Sequence, residues 1–187
     1  MTSTCVHAPW PWDEVGKDCR EENRQIWKAM EEFLASGRVK AIGVSNFDPE
    51  DLDSLLPACE TKPMVNQIRW FIGLDPSDTV QKCAEHDIVV EAYSPFAHGL
   101  IVNHPEIGDI AARYGVSAPQ LCIRYLLQKG AIVLPKATKT PTSSRTPNST
   151  SRFPPPTWAF STPCATPRST RTRRSSAGRD RSRWARF

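Results

Sequence analysis

Three pairs of polar residues lie within, or directly after, short apolar runs of the sequence. They are Ser45-Asn46, Asn66-Gln67 and Tyr93-Ser94, whose hydroxyl and amide groups both donate and accept hydrogen bonds. A buried amide without a partner destabilises a fold by about 1–3 kcal/mol, so these pairs indicate a ligand that forms hydrogen bonds. The alternative is that each pair satisfies a loop or a helix cap.

Two further polar residues stand in similar positions. His7 follows Cys5-Val6, and Lys136 follows the apolar run 131–135. In a parallel barrel the loops after the strands form the site, so both are candidate functional residues. No metal site is predicted, because the other histidines lack the spacing of metal ligands. Those histidines are His86, His98 and His104.

The elements that must position these residues alternate between helical and strand-like patterns. Apolar residues recur at helical spacing in segments 20–36, 48–59, 75–84, 104–114 and 117–129. Short β-rich runs occupy 39–44, 64–68, 88–93 and 131–135. This alternation favours a parallel sheet of the α/β class, and a repeat of about 25 residues fits a barrel. A doubly wound open sheet is the competing architecture, although the sequence lacks a GxGxxG loop.

Two parts of unlike composition make up the 187 residues. Residues 1–139 carry a net charge of −5, whereas residues 140–187 hold ten Arg and one acid, Asp180, a net charge of +9. The second part contains no Leu, Ile, Val or Met, and such a segment cannot build a hydrophobic core. We therefore predict a folded domain over residues 1–139 and a disordered basic tail over 140–187.

Cellular location and redox state are predicted from what the sequence does not contain. No apolar run approaches the roughly 18 residues of a membrane helix, and the first residues do not resemble a signal peptide. The prediction is a cytoplasmic protein without a membrane partner. The six cysteines form no CxxC pair and are interpreted as reduced thiols.

Four ordered motifs give the chain a resemblance to a known family. In the order and spacing of aldo-keto reductases, the sequence contains Gly43-Val44-Ser45-Asn46-Phe47, Asn66-Gln67, Ala92-Tyr93-Ser94-Pro95 and Leu134-Pro135-Lys136. Residues 7 to about 139 resemble the cofactor-binding, C-terminal half of that family's barrel. A complete barrel usually needs roughly 250 residues. The resemblance therefore implies an α/β fold that is a partial TIM (β/α)8 barrel, comprising about strands four to eight.

The resemblance implies that NADPH or NADP is the cofactor and that seven residues bind it. These residues are Ser45, Asn46, Gln67, Tyr93, Ser94, Lys136 and Thr138. The first three would hydrogen-bond the nicotinamide carboxamide, Tyr93 would stack under the nicotinamide ring, and Ser94 would lie by the pyrophosphate. The last two would hold the adenosine 2′-phosphate, which favours NADPH over NADH. Ala137 stands where Ser is common and the family's later Arg and Glu-Asn are absent, so affinity should be reduced.

A catalytic role for His7 is also implied, because the family's active-site histidine orients and polarises a small carbonyl substrate. Trp10 and Trp12 would line the substrate pocket, or are exposed loop aromatics. The family's proton donor is a Tyr, tuned by an Asp and a Lys, on segments before the His-containing strand, and this sequence begins too late to contain them. Tyr114 and Tyr125 match no catalytic motif and are predicted to pack in the core.

The function that the resemblance implies is NADPH-dependent reduction of an aldehyde or ketone to an alcohol, impaired by the missing catalytic segments. The alternative is a non-catalytic protein whose Arg-rich tail binds nucleic acid or an acidic partner. Nucleic acid is not the expected partner. The abrupt loss of aliphatic residues after Lys139 is also what translation of a GC-rich gene in a shifted reading frame produces.

Overall fold

A computed structural model describes residues 3–11 and 13–136, in which strands and helices alternate. The strands are β1 Ser3–Val6, β2 Ala41–Ser45, β3 Val65–Arg69, β4 Val89–Tyr93 and β5 Ile132–Leu134. The α-helices are α1 Arg20–Ala35, α2 Pro49–Leu55, α3 Ser77–Glu85, α4 Pro105–Arg113 and α5 Ala118–Gln128. The predicted alternation is confirmed. The predictions for Trp12, Thr138 and the 140–187 tail lie outside the described residues.

The five strands form one parallel sheet in the order β1-β2-β3-β4-β5. Each strand pairs with the next one along the chain, so the order never reverses. A doubly wound sheet requires a reversal, and the competing architecture is therefore wrong for the described part of the chain. The α/β class is confirmed, and the carboxyl ends of all five strands lie at the same edge.

The main hydrophobic core lies between one face of the sheet and the helices. Its fully buried members come from alternate strand positions and from the helices that cover them, among them Ile42, Val44, Ala92, Trp27, Leu52 and Leu126. Since side chains alternate between the two faces of a strand, the intervening residues point to the opposite face. That second face carries the candidate site residues of β2, β3 and β4.

Tyr114 and Tyr125 pack in hydrophobic clusters, as the sequence predicts. Tyr125 packs against the main core. Tyr114 packs against a second, smaller cluster that α4 and α5 build around Ile107 and Leu121. The predicted core role of both tyrosines is confirmed.

Two helix boundaries differ from the sequence prediction by two residues or more. The helix predicted over 48–59 ends as an α-helix at Leu55, and a short 3-10 turn, Leu56–Ala58, follows. Pro57 lacks the N–H that would continue the α-helical pattern. The helix predicted from residue 75 begins instead at Ser77, with Pro76 as an N-cap that has no side-chain hydrogen bond.

Within the described residues, no helix is long and apolar enough to cross a membrane. Among the described residues, five cysteines form no disulfide: Cys5, Cys19, Cys59, Cys83 and Cys122. Cys164 lies outside the described residues. Burial raises the pKa of Cys59 to about 12 and that of Cys122 to about 11.

Candidate functional site

The candidate site lies at the carboxyl edge of the sheet, where β2, β3 and β4 end. Ser45 is the last residue of β2, and its register partner on β3 is Gln67. Tyr93 is the last residue of β4 and pairs with Arg69. Parallel pairing therefore brings together residues that are up to 48 positions apart in the sequence.

Asn46 is the centre of the site's hydrogen bonding. Its side-chain Nδ2 donates to the main-chain oxygen of His7 at 3.1 Å and to Oγ of Ser45 at 3.2 Å. Its Oδ1 accepts from the hydroxyl of Tyr93 at 2.8 Å. The residue is buried, and its φ of 60° lies in the left-handed region, which Asn tolerates better than most residues. One amide thus joins the ends of β1, β2 and β4.

Ser45 and Gln67 connect β2 to β3 beyond the ordinary sheet hydrogen bonds. The Ser45 hydroxyl donates to the main-chain oxygen of Gln67 at 2.8 Å, and the main-chain N–H of Asn46 donates to the same oxygen at 2.9 Å. The Ser45 side chain is also buried, with 4% of the residue exposed. These contacts fix the position at which β2 stops and the chain turns toward α2.

The two amides of Asn66-Gln67 face opposite sides of the sheet. Asn66 is completely buried on the helix side, where its Nδ2 donates to the main-chain oxygen of Phe47 at 2.9 Å and contacts Sγ of Cys83 at 3.6 Å. Asn66 therefore forms its hydrogen bond with the loop after β2 and not with a ligand, which is the alternative that the sequence left open. Gln67 lies on the other face and is half-buried. Only Gln67 belongs to the site.

Sequence reasoning missed two residues on the same face as Gln67. Glu91 lies directly opposite Gln67 in the register of β3 and β4, and its Oε2 accepts from Gln67 Nε2 at 2.9 Å. Arg69 lies two positions after Gln67, is 8% exposed, and holds its guanidinium 5.4 Å from the centre of the Phe71 ring. The period of two along a strand was the signal that could have found both.

The Tyr93 phenol is neutral at physiological pH. Burial raises its pKa, and this effect outweighs the lowering by the positive charge of Arg69. A phenol with a raised pKa donates a hydrogen bond and offers a flat ring, but it is a poor base at neutral pH. Tyr93 is therefore suited to be a flat surface on which a ligand stacks, or a fixed hydrogen-bond donor, rather than a base.

Ser94 begins a loop with several left-handed residues. It has φ 51°, and Ala97 and His98 follow with φ 44° and 56°. The main-chain oxygen of Ser94 accepts from the N–H of Ala97 at 2.9 Å, which closes a tight turn directly after β4. Backbone strain of this kind is found most often at ligand sites.

Trp10 and Lys136 follow the two outer strands of the sheet, β1 and β5 respectively. Lys136 is exposed two residues after β5, whose Leu134 pairs with Tyr93. Trp10 is 5% exposed, so it is not an exposed loop aromatic. The loop that contains it is held to α1 by Asn23, whose Nδ2 donates to the main-chain oxygen of Pro9 at 2.9 Å.

His7 follows β1 directly at the same edge, and its residue is exposed. Its main-chain oxygen takes part in the Asn46 cluster, as described above. Among the described residues, no group of three or more His, Cys, Asp and Glu side chains is arranged to hold a metal ion.

Comparison with known proteins finds relatives of one family. A family model described as Aldo/keto reductase family matches residues 4–148. An uncharacterized oxidoreductase, YtbE, of Bacillus subtilis is 40% identical over 116 residues, which cover 62% of this chain and 41% of that protein. The glyoxal reductase of the same organism is 35% identical over 130 residues, covering 70% of this chain and 45% of that protein. The chain thus spans less than half the length of these relatives.

A solved structure shares both fold and sequence with the chain. The aldo-keto reductase AKR2E5 of the silkworm Bombyx mori, crystallised with NADPH, matches with a TM-score of 0.64 and 32% identity. The match covers 73% of this chain and 45% of that one. The family model matches well over half of the residues, and the sheet and its strand-end motifs agree with it. The chain therefore belongs to the aldo-keto reductase family.

Proposed function

We propose that this chain is the cofactor-binding part of an NADPH-dependent aldo-keto reductase, whose reaction converts an aldehyde or ketone to an alcohol. The observation that carries the proposal is the hydrogen-bonded cluster in which Asn46 joins Ser45 and Tyr93 at one edge of the sheet. Family membership supports NADPH or NADP as the cofactor, as does the NADPH bound in a similar solved structure.

The sheet is proposed to be strands four to eight of an eight-stranded (β/α)8 barrel. The sequential strand order supports this assignment, as does the coverage of just under half of similar solved chains. Apolar side chains on the face away from the helices give further support, since Val89, Ile132 and Leu134 are 43%, 47% and 39% exposed. In a closed barrel that face is filled by packed side chains.

The hydrogen-bonding groups at the strand ends fit a carboxamide. One N–H of the Gln67 side chain donates to Glu91, which leaves the second N–H and the carbonyl oxygen for a ligand. Oδ1 of Asn46 and Oγ of Ser45 each accept one hydrogen bond and retain a second lone pair. A nicotinamide carboxamide has one acceptor and two N–H donors, so it matches this set.

Tyr93 and Ser94 are proposed to hold the nicotinamide ring and the pyrophosphate. The hydroxyl of Tyr93 is anchored on Asn46, and an anchored phenol keeps its ring in one orientation. Such a ring is a flat apolar platform that leaves the other side of a stacked nicotinamide open. When bound, that cofactor supplies the hydride. The tight turn at Ser94 brings main-chain groups close to the same edge of the sheet.

Lys136 and Thr138 are proposed to bind the adenosine 2′-phosphate, although Thr138 lies outside the described residues. The ammonium group of Lys136 is exposed at the carboxyl edge, where a phosphate would be accessible. An exposed charged contact is worth about tenfold in affinity. Lys136→Ala should therefore weaken NADPH binding about tenfold and leave NADH binding unchanged. Lys40→Ala is the matched control, since Lys40 is exposed at the opposite edge, just before β2.

The substrate is proposed to be a small carbonyl compound that contacts His7, with Trp10 and Trp12 lining its pocket. Turnover by this chain should be low, because none of its three tyrosines is placed as a proton donor. Tyr114 and Tyr125 pack in hydrophobic clusters, and the hydroxyl of Tyr93 already donates to Asn46. The proton donor of the reaction must come from another segment.

Binding and turnover measurements test the proposal separately. NADPH fluorescence titration of the full 187-residue chain should give saturable binding, and Gln67→Ala should weaken it. Gln81→Ala is the matched control, because Gln81 is an exposed glutamine on α3. Absence of saturable binding at millimolar NADPH would refute the proposal. Rapid NADPH oxidation with a simple aldehyde would refute the proposed impairment.

A second candidate function rests on the net charge of +9 over residues 140–187, which lie outside the described residues. Arginines such as Arg168, Arg171, Arg173 and Arg174 would contact phosphates of a nucleic acid. Binding of the full chain to a fluorescent RNA oligomer should then weaken steeply between about 50 and 200 mM salt. Binding that is undetectable or insensitive to salt would eliminate this candidate.

A further inference from the structure

A carboxylate lies on the face of the sheet that carries the proposed cofactor site. Glu91 interrupts an otherwise apolar strand two positions before Tyr93, so both side chains point to the same face. Its Oε2 accepts from Gln67 Nε2 at 2.9 Å. Its negative charge also contributes, after burial, to raising the pKa of Cys5 on β1.

The hydrogen bond between Glu91 and Gln67 decides how the glutamine amide is oriented. A carboxylate only accepts hydrogen bonds, whereas the two ends of an amide differ, one donating and the other accepting. Glu91 therefore holds the nitrogen end of the Gln67 amide on the β4 side. The carbonyl oxygen Oε1 and the second N–H of Gln67 then each occupy one fixed position relative to a ligand. An amide free to rotate by 180° would exchange them.

We propose that Glu91 is a positioning residue that fixes the Gln67 amide for recognition of the nicotinamide carboxamide, an inference that rests on the proposed cofactor function. A carboxamide also has distinct donor and acceptor ends, so it binds best to an amide whose ends do not exchange. Orientation in advance of binding removes part of the entropic cost of ordering the side chain. Glu91 thus acts on the cofactor through Gln67.

A purely structural role for the pair is a weaker explanation. Strands β3 and β4 are already paired at five register positions, from Val65 with Val89 to Arg69 with Tyr93. One additional side-chain contact adds little to that association. The chain also contains a pair of the same chemistry on its surface, where Gln81 Nε2 donates to Glu85 Oε1 at 3.0 Å within α3. That pair provides the matched control.

The test compares two ligands that share the adenosine 2′-phosphate. NADPH contains the nicotinamide and adenosine 2′,5′-bisphosphate lacks it, and both are titrated calorimetrically into the full chain. Glu91→Ala should weaken NADPH binding about tenfold and leave the bisphosphate unchanged. Glu91→Gln can donate as well as accept, so it no longer holds the Gln67 amide in one orientation and should also weaken NADPH binding, although by less than Glu91→Ala. Glu85→Ala should affect neither ligand.

Two further measurements separate positioning from general damage. In the Gln67→Ala background, Glu91→Ala should cause no additional loss, because its effect passes through the missing amide. In the ligand-free protein, the Gln67 side-chain amide resonances should shift in Glu91→Ala. Equal loss of both ligands, unchanged NADPH binding, an undiminished effect without Gln67 or unshifted amide resonances would each overturn the inference. Failure of the wild-type chain to bind NADPH would instead overturn the proposed function on which it rests.

Discussion

Gly43 lies where three strands approach one another more closely than a side chain allows. It pairs with Cys5 on β1 and with Val65 on β3. A Cβ added at this position would lie 2.7 Å from the main-chain oxygen of Val65 and 3.1 Å from the Cys5 sulfur. The main-chain oxygen cannot rotate away, so β2 and β3 must separate. Overpacking of this kind costs about 1–3 kcal/mol, against about 0.5–1 kcal/mol gained on replacing Gly within a strand.

Gly43→Ala should therefore lower the free energy of unfolding by about 1–2 kcal/mol, measured by urea denaturation with tryptophan fluorescence. Gly108→Ala is the matched control, because its added Cβ meets nothing within 4 Å apart from the adjacent residues and backbone of its own helix, and the residue is in the interior of α4. That variant should gain up to about 1 kcal/mol from helix propensity. The two variants should therefore change the free energy of unfolding in opposite directions. A Gly43→Ala protein as stable as the wild type would refute the close-approach argument.

Three other changes have expected effects on the free energy of unfolding. Asp48→Ala removes the N-cap of α2 and should cost about 1 kcal/mol in urea denaturation, and an unchanged midpoint would contradict the capping. Tyr93→Phe removes the hydroxyl that donates to Asn46 and should also cost about 1 kcal/mol, whereas no loss would argue against that bond. Stability should fall as pH rises above the usual thiol pKa of 9.0, because the folded state keeps Cys59 and Cys122 protonated to about 12 and 11. Cys122→Ala should make this fall shallower, and a rise in stability would contradict the assigned direction.

The fold was largely predictable because its signals are local. Apolar spacing and the pattern Asp48-Pro49 located the helices and α2's start, since capping and periodicity act within a few residues. The 3-10 turn at Pro57 follows from the missing proline N–H. No comparable local rule explains why α3 begins at Ser77, after Pro76, and not at residue 75. Strand order was left open, because nothing local to one strand states which neighbour it pairs with.

The site was predictable as a set of residues but not as a set of contacts. The motifs placed Ser45, Asn46 and Tyr93 at strand ends, and the structure brings those three together. The sequence could not state that Glu91 would face Gln67, because that pairing depends on the register between β3 and β4. A shift of one residue would have put Glu91 on the helix side, where the core is apolar.

The family resemblance gives Ser45, Asn46 and Gln67 the same role, hydrogen bonding to the nicotinamide carboxamide. The contacts in the structure distinguish Asn46 from Gln67. Both N–H groups of the Asn46 side chain are used within the protein, one by His7 and one by Ser45, and its oxygen accepts from Tyr93. Because its amide already forms these hydrogen bonds within the protein, the Asn46 side chain stabilises the site more than it recognises the ligand. Gln67 retains a free N–H and its carbonyl oxygen, so it is the amide with both kinds of group still to offer. We therefore expect carboxamide selectivity to depend on Gln67, and the stability of the site to depend on Asn46.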